Sequence, residues 1–400
     1  MVLLLKWISI GDFKFGLEEK KAIQEVINSN RVTEHIRVLE FEKKFSNFLE
    51  NKYTVLTNSG TSALILGLES LKNRGVPTNS KVITTPLTYV ATSNALEITG
   101  LKPVFVDVDL STFVITPDTI KERLEKENNV DEFSMVLPVH LMGYPADMDE
   151  INKICNEYKL LSFEDSAQAH GTEYKGKKCG SMSEASAFSF YIAHNIQVGE
   201  MGALSTNDPK LAKLARSLKA NGRMCDCQIC TRSKGTCPKA NLDVDPRFTH
   251  THIGYNFKTT EFMAAIGLSQ LNKIEHILER RQKNVKILNE GLGEFDGILQ
   301  LPKYSDSISY LAYPLVVKNS RIITRDKLAR KLEKEGIETR PLFSCIPTQQ
   351  PSYDKYKKEY KDKLPNAEYL GNNGFYIGCH QFLEEEDLEY IISKFRKILK

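Results

Sequence analysis

Short apolar runs alternate with helical patterns through the first half of the chain, and no other feature of the sequence restricts the fold as strongly. Runs that predict strands lie at residues 53–56, 82–84, 103–106, 135–139, 160–163, 187–191 and 203–205. Helical periodicity fills most of the gaps, at residues 61–71, 118–127, 148–158 and 209–220. Strands that alternate with helices are typical of βαβ units. The pattern predicts an α/β fold with a mainly parallel sheet covered by helices on both faces.

The segments on either side of this region extend the prediction to the whole chain. Helical periodicity marks residues 15–30 and 39–49, and a long helix is predicted at residues 259–292. A strand at residues 310–317 and helices at 323–335 and 383–398 follow it. We expect a large α/β domain over residues 1–265, with a cysteine-rich insertion at 221–253. The long helix and a small C-terminal α+β domain would occupy residues 266–400.

The balance of charge favours small-molecule chemistry. The 54 Lys and Arg against 51 Asp and Glu, without a long basic run, argue against a nucleic-acid or membrane-surface binder. The apolar start at residues 2–5 is too short for a signal-peptide core or a membrane span. We therefore expect a cytoplasmic protein whose 8 cysteines form no stable disulfides.

Residues just after the predicted strands are the first candidates for a ligand site, because ligands of open α/β sheets lie at the carboxyl ends of the strands. Gly60 and Thr61 open a helix there and offer donors to a phosphate, although hydroxyl residues at a helix start are also ordinary caps. Asp165 would hold a heteroaromatic nitrogen protonated, or else cap the next segment. Tyr89 would stack on a planar ring, or else lie in the core.

These motifs occur in an order that resembles a known family. Asp-Ser-Ala-Gln at residues 165–168 is followed by Ser-Phe-Tyr-Ile-Ala-His at 189–194, Gly-Tyr-Asn-Phe-Lys at 254–258 and Thr-Arg-Pro-Leu-Phe at 339–343. Together with the loop at 58–62, this order resembles the sugar-nucleotide aminotransferases, the pyridoxal-phosphate enzymes of fold type I. The resemblance covers nearly the whole chain. It implies a fold type I arrangement and a homodimer with a shared active site.

His194 departs from the pattern of most members of that family, which place there the lysine that forms a Schiff base with the cofactor. No lysine lies between Lys178 and Lys210, so a shifted replacement is not available. An imidazole cannot form that imine, which disfavours transamination, but it can move a proton near neutral pH. The 3-dehydrases of deoxysugar biosynthesis, which this chain resembles, carry histidine at this position. The alternative is a catalytically inactive scaffold.

The resemblance also implies a role for each candidate residue. Pyridoxamine phosphate would be held without a covalent bond, with Asp165 at the ring nitrogen, Gln168 at the ring hydroxyl and Tyr89 stacked on the ring. Its phosphate would be bound by Gly60, Thr61, Ser189 and Asn256 of the partner subunit. His194 would remove a proton as the C3 hydroxyl leaves a nucleotide-diphosphate-linked 4-keto-6-deoxyhexose. Lys258 and Arg340 would contact the diphosphate, or else form exposed salt bridges.

Four cysteines crowd into one short segment, at Cys225, Cys227, Cys230 and Cys237. This Cys-x-Cys with a later Thr-Cys resembles the iron–sulfur 3-dehydrases, which take electrons from a flavin/iron–sulfur reductase. In that type one ligand lies upstream, near the position of Ala167, so Cys230 would have to replace it. Four thiolates suit a [2Fe–2S] cluster, a [4Fe–4S] cluster or zinc. With zinc, the chain would match the iron-free, glutamate-dependent 3-dehydratases instead.

The other four cysteines are scattered singly. Cys155, Cys179, Cys345 and Cys379 are predicted to be small core residues or inert surface thiols.

Overall fold

The fold is built on a central seven-stranded sheet, seen in a computed structural model that describes residues 6–400, Ser233 by its backbone alone. The predicted apolar start at residues 2–5 lies outside the described residues. The strands of the first half are β1 (Tyr53–Thr57), β2 (Lys81–Thr84), β3 (Lys102–Phe105), β4 (Phe133–Leu137), β5 (Leu161–Asp165), β6 (Glu173–Tyr174), β7 (Lys177–Lys178), β8 (Ala185–Ser189) and β9 (Gly202–Thr206).

The order of the central sheet is β1-β9-β8-β5-β4-β2-β3. Strands β3, β2, β4, β5 and β8 run parallel to one another, whereas β9 runs antiparallel to both β1 and β8. The prediction of a mainly parallel sheet is therefore confirmed. Strands β6 and β7 form a separate hairpin that the sequence did not reveal, because two-residue strands carry no periodicity.

Helices cover both faces of this sheet. In the described residues they are α1 (Leu17–Ser29), α2 (Ile36–Leu49), α3 (Gly60–Lys72), α4 (Ala91–Ile98), α5 (Pro117–Glu125), α6 (Met148–Tyr158), α7 (Pro209–Leu218), α8 (Glu261–Leu271), α9 (Ile274–Leu292), α10 (Arg325–Lys334), α11 (Ile346–Gln349), α12 (Asp354–Tyr360), α13 (Pro365–Asn373) and α14 (Glu385–Leu399). Helix α3 packs very closely on the sheet: a Cβ on Gly67 would lie 2.5 Å from Cζ of Phe163. Glycine at this position lets the helix approach the strands.

The prediction of one long helix at residues 259–292 is wrong, because a turn at Asn272 and Lys273 divides this segment into α8 and α9. Thr260 caps α8, and its hydroxyl accepts the N–H of Met263 at 3.4 Å. Lys273 leaves the helical conformation, with ψ at 5°, and its ammonium pairs with Glu19 of α1 at 2.6 Å. Apolar periodicity continues across this turn, so the sequence does not reveal the break.

A second, smaller sheet follows. Its strands are β10 (Leu299–Gln300), β11 (Tyr313–Val317), β12 (Arg340–Pro341) and β13 (Gly374–Ile377), in the antiparallel order β10-β11-β13-β12. Of these strands the sequence predicted only β11, because β10 and β12 have two residues each. The domain boundary at residues 265 and 266 stays a prediction.

No helix among residues 6–400 is long and apolar enough to cross a membrane.

Candidate active site

The register of the central sheet brings two of the predicted residues, Asp165 and Ser189, to one edge. Thr57 of β1 lies opposite Gly202 of β9, which lies opposite Ser189 of β8. Asp165, the last residue of β5, lies beside Ala187, two residues before Ser189 on β8. The carboxyl ends of β1, β5 and β8 therefore meet at one place.

Gly60 and Ser189 form a close contact at this edge. A Cβ on Gly60 would lie 2.5 Å from Cβ and 2.9 Å from Oγ of Ser189. Ser59 caps α3 by accepting the N–H of Ser62 at 3.1 Å, so the capping alternative is correct for this serine. The first N–H groups of α3, with the hydroxyls of Thr61 and Ser189, form a cradle with the donors that a phosphate requires.

Asp165 is buried and held by two donors. Its Oδ2 accepts the hydroxyl hydrogen of Thr92 at 2.8 Å, and its Oδ1 accepts the N–H of Ala167 at 3.2 Å. Burial raises the pKa of this carboxyl group. Among the ion pairs of the described residues none involves Asp165. A buried carboxylate that forms no ion pair is suited to pair with a protonated ring nitrogen of a ligand.

Gln168 and Tyr89 differ in the contacts that they can offer to a ligand beside Asp165. Oε1 of Gln168 accepts the N–H of Met142 at 2.9 Å, so only its amide NH₂ group is left to donate to a ligand. Tyr89 is 61% exposed, and the alternative of a core tyrosine is therefore wrong. Its ring lies 6.3 Å from that of Phe343, centroid to centroid, and the two rings form an open aromatic wall.

His194 lies in the loop after β8, half-buried, with its Nδ1 sealed from solvent. Its ring centroid is 6.1 Å from that of Tyr191 and 6.0 Å from that of His170. Burial lowers the pKa of His194 to about 4, against a smaller opposing effect of the Ser189 backbone. The imidazole is consequently neutral near pH 7 and able to accept a proton.

Asn256, predicted for the cofactor phosphate of the partner subunit, and Lys258 and Arg340, predicted for the substrate diphosphate, lie wholly or partly on the surface. Asn256 and Lys258 are exposed, and their segment is anchored by Phe257, whose carbonyl accepts the N–H of Asn58 at 2.9 Å. Arg340 pairs with Glu338 at 3.1 Å, as the salt-bridge alternative expects. Nothing in the described part of the chain joins Lys258 or Arg340 to Asp165 through a hydrogen bond or ion pair.

The cysteine segment does not form the predicted four-ligand site. The thiol of Cys227 lies beside that of Cys225, and burial followed by this neighbour raises the pKa of Cys227. Cys230 and Cys237 lie instead within electrostatic range of Arg247. Among residues 6–400, no three His, Cys, Asp or Glu side chains are placed to hold a metal ion.

The other four cysteines, Cys155, Cys179, Cys345 and Cys379, are buried, which confirms that they are core residues.

Three residues near the site were missed by the sequence analysis. Thr92, His170 and Arg281 are buried, and each faces Asp165 or His194. Thr92 lies three residues after Tyr89 at the start of α4, a helix that the sequence analysis did not predict. His170 follows Gln168 by two residues, and no motif marked it. Arg281 looks like a surface residue of an amphipathic helix, because its burial depends on tertiary packing.

Comparison with known proteins places this geometry in a family. Residues 14–396 match the model of the DegT/DnrJ/EryC1/StrS aminotransferase family. The lipopolysaccharide biosynthesis protein RfbH of Salmonella typhimurium is 32% identical, over 89% of this chain and 84% of RfbH. A dTDP-4-dehydro-2,6-dideoxy-D-glucose 3-dehydratase of Saccharopolyspora spinosa is 31% identical, over 94% of this chain and 83% of that protein.

A solved structure shows the same architecture. A mutant of the GDP-4-keto-6-deoxymannose-3-dehydratase ColD, with bound GDP-perosamine, superimposes with a TM-score of 0.86 at 25% identity. The match covers 98% of this chain and 100% of the other. The fold is that of the fold type I pyridoxal-phosphate enzymes, and the family uses this cofactor on sugar nucleotides. The chain belongs to the DegT/DnrJ/EryC1/StrS aminotransferase family.

Proposed function

We propose that this protein is a pyridoxamine-phosphate-dependent C3 dehydratase of a nucleotide-linked 4-keto-6-deoxyhexose. The observation that carries the proposal is His194, a half-buried neutral imidazole in the loop where the resemblance places a lysine. Imidazole cannot form an imine with a carbonyl, but it can accept a proton. The names of a similar protein and of a similar structure, both 3-dehydratases, support this choice.

The residues at the sheet edge fit the cofactor. The cradle of Gly60, Thr61 and Ser189 suits the phosphate, and the buried carboxylate of Asp165 suits the ring nitrogen. Tyr89 presents an exposed ring face for stacking. When bound, pyridoxamine phosphate supplies an amine that condenses with the sugar keto group and a ring that accepts electrons.

Protein side chains then have separate tasks. His194 takes up a proton at Nε2, since Nδ1 is sealed from solvent. Asp165, held by Thr92, keeps the ring nitrogen protonated. The NH₂ group of Gln168 donates to the ring hydroxyl, and Tyr89 with Phe343 excludes water from one face. The base thus lies in the loop after β8, and the group that controls the ring lies at the end of the neighbouring strand β5.

Completion of the site by a second copy of the chain is part of this proposal. Ile253 is 97% exposed and Phe248 is 76% exposed, close in sequence to Asn256. Large apolar side chains at such exposure favour a homodimer, in which Asn256 of the partner subunit would contact the phosphate. Lys258 and Arg340 would supply positive charge for the nucleotide diphosphate.

We further propose that Cys225, Cys227, Cys230 and Cys237 bind an iron–sulfur cluster. Cys225 and Cys227 lie near Lys239, and Cys230 and Cys237 lie near Arg247, so cluster binding would require the two ends of this segment to be drawn together. Such a cluster would supply single electrons delivered by a flavin/iron–sulfur reductase. Purification without oxygen, followed by metal analysis and a visible spectrum, tests this: iron with charge-transfer absorption supports it, and stoichiometric zinc without such absorption overturns it.

The competing function is transamination, which the family description favours. Incubation of the protein with pyridoxamine phosphate and GDP-, CDP- or dTDP-linked 4-keto-6-deoxyhexoses separates the two, with mass spectrometry and NMR of the sugar as readout. Loss of the C3 hydroxyl supports dehydration. A 4-amino sugar that keeps the C3 hydroxyl supports transamination. Cofactor binding without any turnover would indicate a scaffold.

A further inference from the structure

A second buried histidine lies beside His194, in the segment after β5. The ring of His170 stacks on that of Phe190, with centroids 5.2 Å apart and planes 25° apart. The ring of Phe45 is nearly perpendicular to it, with centroids 6.4 Å apart. The side chain is fully buried. A rigid aromatic cage of this kind holds the imidazole in one orientation.

The hydrogen bonding of His170 determines its protonation. Its Nδ1 accepts the backbone N–H of Ile196 at 3.3 Å, so the ring proton is on Nε2. Burial holds the pKa of His170 well below its ordinary value, and the nearby His194 and Arg281 act in the same direction. His170 is therefore a neutral imidazole that anchors the backbone two residues after His194.

One ring nitrogen of each of these two histidines lacks a partner in the described part of the chain. Nε2 of His170 and Nδ1 of His194 are sealed from solvent and form no hydrogen bond within the described residues. The Ser189 backbone lies beside both rings and favours their charged forms, which a carbonyl oxygen does and an N–H does not. Buried polar groups are almost always paired, and a carbonyl oxygen can accept two hydrogen bonds, so this carbonyl is an acceptor available both to Nε2–H of His170 and to Nδ1 of His194.

We propose that His170 is a positioning residue for His194: it anchors the 194–196 backbone through Ile196 and so directs Nδ1–H of His194 to the Ser189 carbonyl. His194 is then fixed in the tautomer whose Nε2 carries the lone pair on the open side of the ring. This inference rests on the proposed function for its catalytic meaning, while the tautomer itself is a property of the protein alone.

The positive charge of Arg281 acts on both imidazole rings and favours their neutral forms. Arg281 of α9 is fully buried, and its Nη1 donates to the carbonyls of Tyr310 and Leu311 at 3.2 and 2.7 Å. Its positive charge lowers the pKa of both His170 and His194, after burial itself. Both imidazoles are therefore neutral near pH 7, so each carries one proton and His194 can adopt the tautomer that we assign.

The first test is ¹⁵N NMR of histidine-labelled protein without cofactor, with the His194 signals assigned from the His194→Asn variant. We expect a protonated Nδ1 and an unprotonated Nε2 in the wild type. A wild-type His194 that carries its proton on Nε2 overturns the proposal. This measurement requires neither turnover nor a destabilising variant.

The second test compares two substitutions of His170. In His170→Asn, the amide oxygen can still accept the N–H of Ile196, whereas His170→Phe keeps the stacking and removes the acceptor. We expect His170→Phe to give a mixture of His194 tautomers and a kcat reduced roughly tenfold or more, with a nearly unchanged KM. His170→Asn should keep mainly the wild-type tautomer of His194 and most of the wild-type kcat. A wild-type tautomer together with a wild-type kcat in His170→Phe overturns the positioning role.

The outcomes separate the two proposals. Absence of dehydration in the wild type overturns the proposed function, and the nitrogen signals still decide the role of His170. The exposed His276, on the outer face of α9, provides the matched control, because His276→Gln should change neither tautomer nor kcat.

Discussion

Thr92 donates its hydroxyl hydrogen to Oδ2 of Asp165 over 2.8 Å, and this bond joins helix α4 to the end of strand β5. Thr92 follows Tyr89 by three residues, and its hydroxyl oxygen lies 3.4 Å from the Tyr89 carbonyl, although its single hydrogen is donated to Asp165. One side chain thereby fixes the carboxylate for the cofactor ring nitrogen relative to the tyrosine that would stack on the ring.

Removal of this hydroxyl should weaken cofactor binding. Thr92→Val keeps the shape and removes the donor, and a buried hydrogen bond of this kind contributes about 0.5–1.5 kcal/mol. We therefore expect a roughly two- to tenfold higher Kd for pyridoxamine phosphate, measured by absorbance titration. Thr99→Val is the control: its hydroxyl bonds the Ala95 carbonyl at 2.8 Å, at the far end of the same helix. Equal Kd values for the wild type and Thr92→Val would contradict the assigned role.

Gly60 should not tolerate a side chain. In Gly60→Ala the new Cβ would lie 2.5 Å from Cβ of Ser189, so the start of α3 and β8 must move apart. We expect a marked loss of cofactor affinity with a cooperative unfolding transition retained, measured by titration and thermal denaturation. At Gly297 a Cβ would meet nothing within 4 Å, and Gly297→Ala should bind like the wild type. Unchanged affinity in Gly60→Ala would show that the cradle does not hold the phosphate.

The central sheet was predictable because its buried strands are short apolar runs between helical patterns. The positions of Gly60 and Asp165 followed from the rule that ligand residues lie at the carboxyl ends of such strands, and Ser189 followed from the resemblance to the family. The roles of Thr92 and His170 did not follow, since each depends on which strands are neighbours. The turn between α8 and α9 was also hidden, because it depends on the contact of Lys273 with Glu19.

The same limit applies to the cysteine segment. The crowding of four thiols was visible in the sequence, but their spacing does not determine which of them converge. The structure brings Cys225 and Cys227 together and places Cys230 and Cys237 near Arg247.

The buried histidines predict a stability that decreases in mild acid. Burial lowers the pKa of His194 to about 4 and that of His380 to about 3, from an unfolded value of 6.5. Between these values the unfolded chain binds more protons, so the free energy of unfolding should fall as the pH falls from about 6.5 toward 4. Urea denaturation at several pH values measures this. His194→Asn should show a shallower pH dependence than the wild type, and an identical slope would contradict the lowered pKa.

Replacement of His194 by Asn should abolish dehydration without loss of the cofactor. Asparagine is similar in polarity but cannot accept the proton, and general-base catalysis contributes about 10²–10⁴-fold to a rate. We expect loss of the 3-deoxy product by NMR and an almost unchanged Kd for pyridoxamine phosphate. His276→Asn, at an exposed position, is the control. Retained turnover in His194→Asn would exclude His194 as the base.

Replacement of His194 by Lys tests whether this position faces the cofactor. A lysine amine can bond covalently to the carbonyl carbon of pyridoxal phosphate, which imidazole cannot do. Burial at this site disfavours the charged form of His194 and should likewise disfavour a charged lysine amine. The lysine would then be a neutral amine, which is the nucleophilic form. We expect a new visible absorbance band when His194→Lys is mixed with pyridoxal phosphate, and its loss after borohydride reduction. Lys258→Arg in the same variant should leave the band unchanged, because Lys258 lies on the surface. If no band forms while pyridoxal phosphate still binds, His194 does not point at the reactive carbon, and the base must be sought elsewhere.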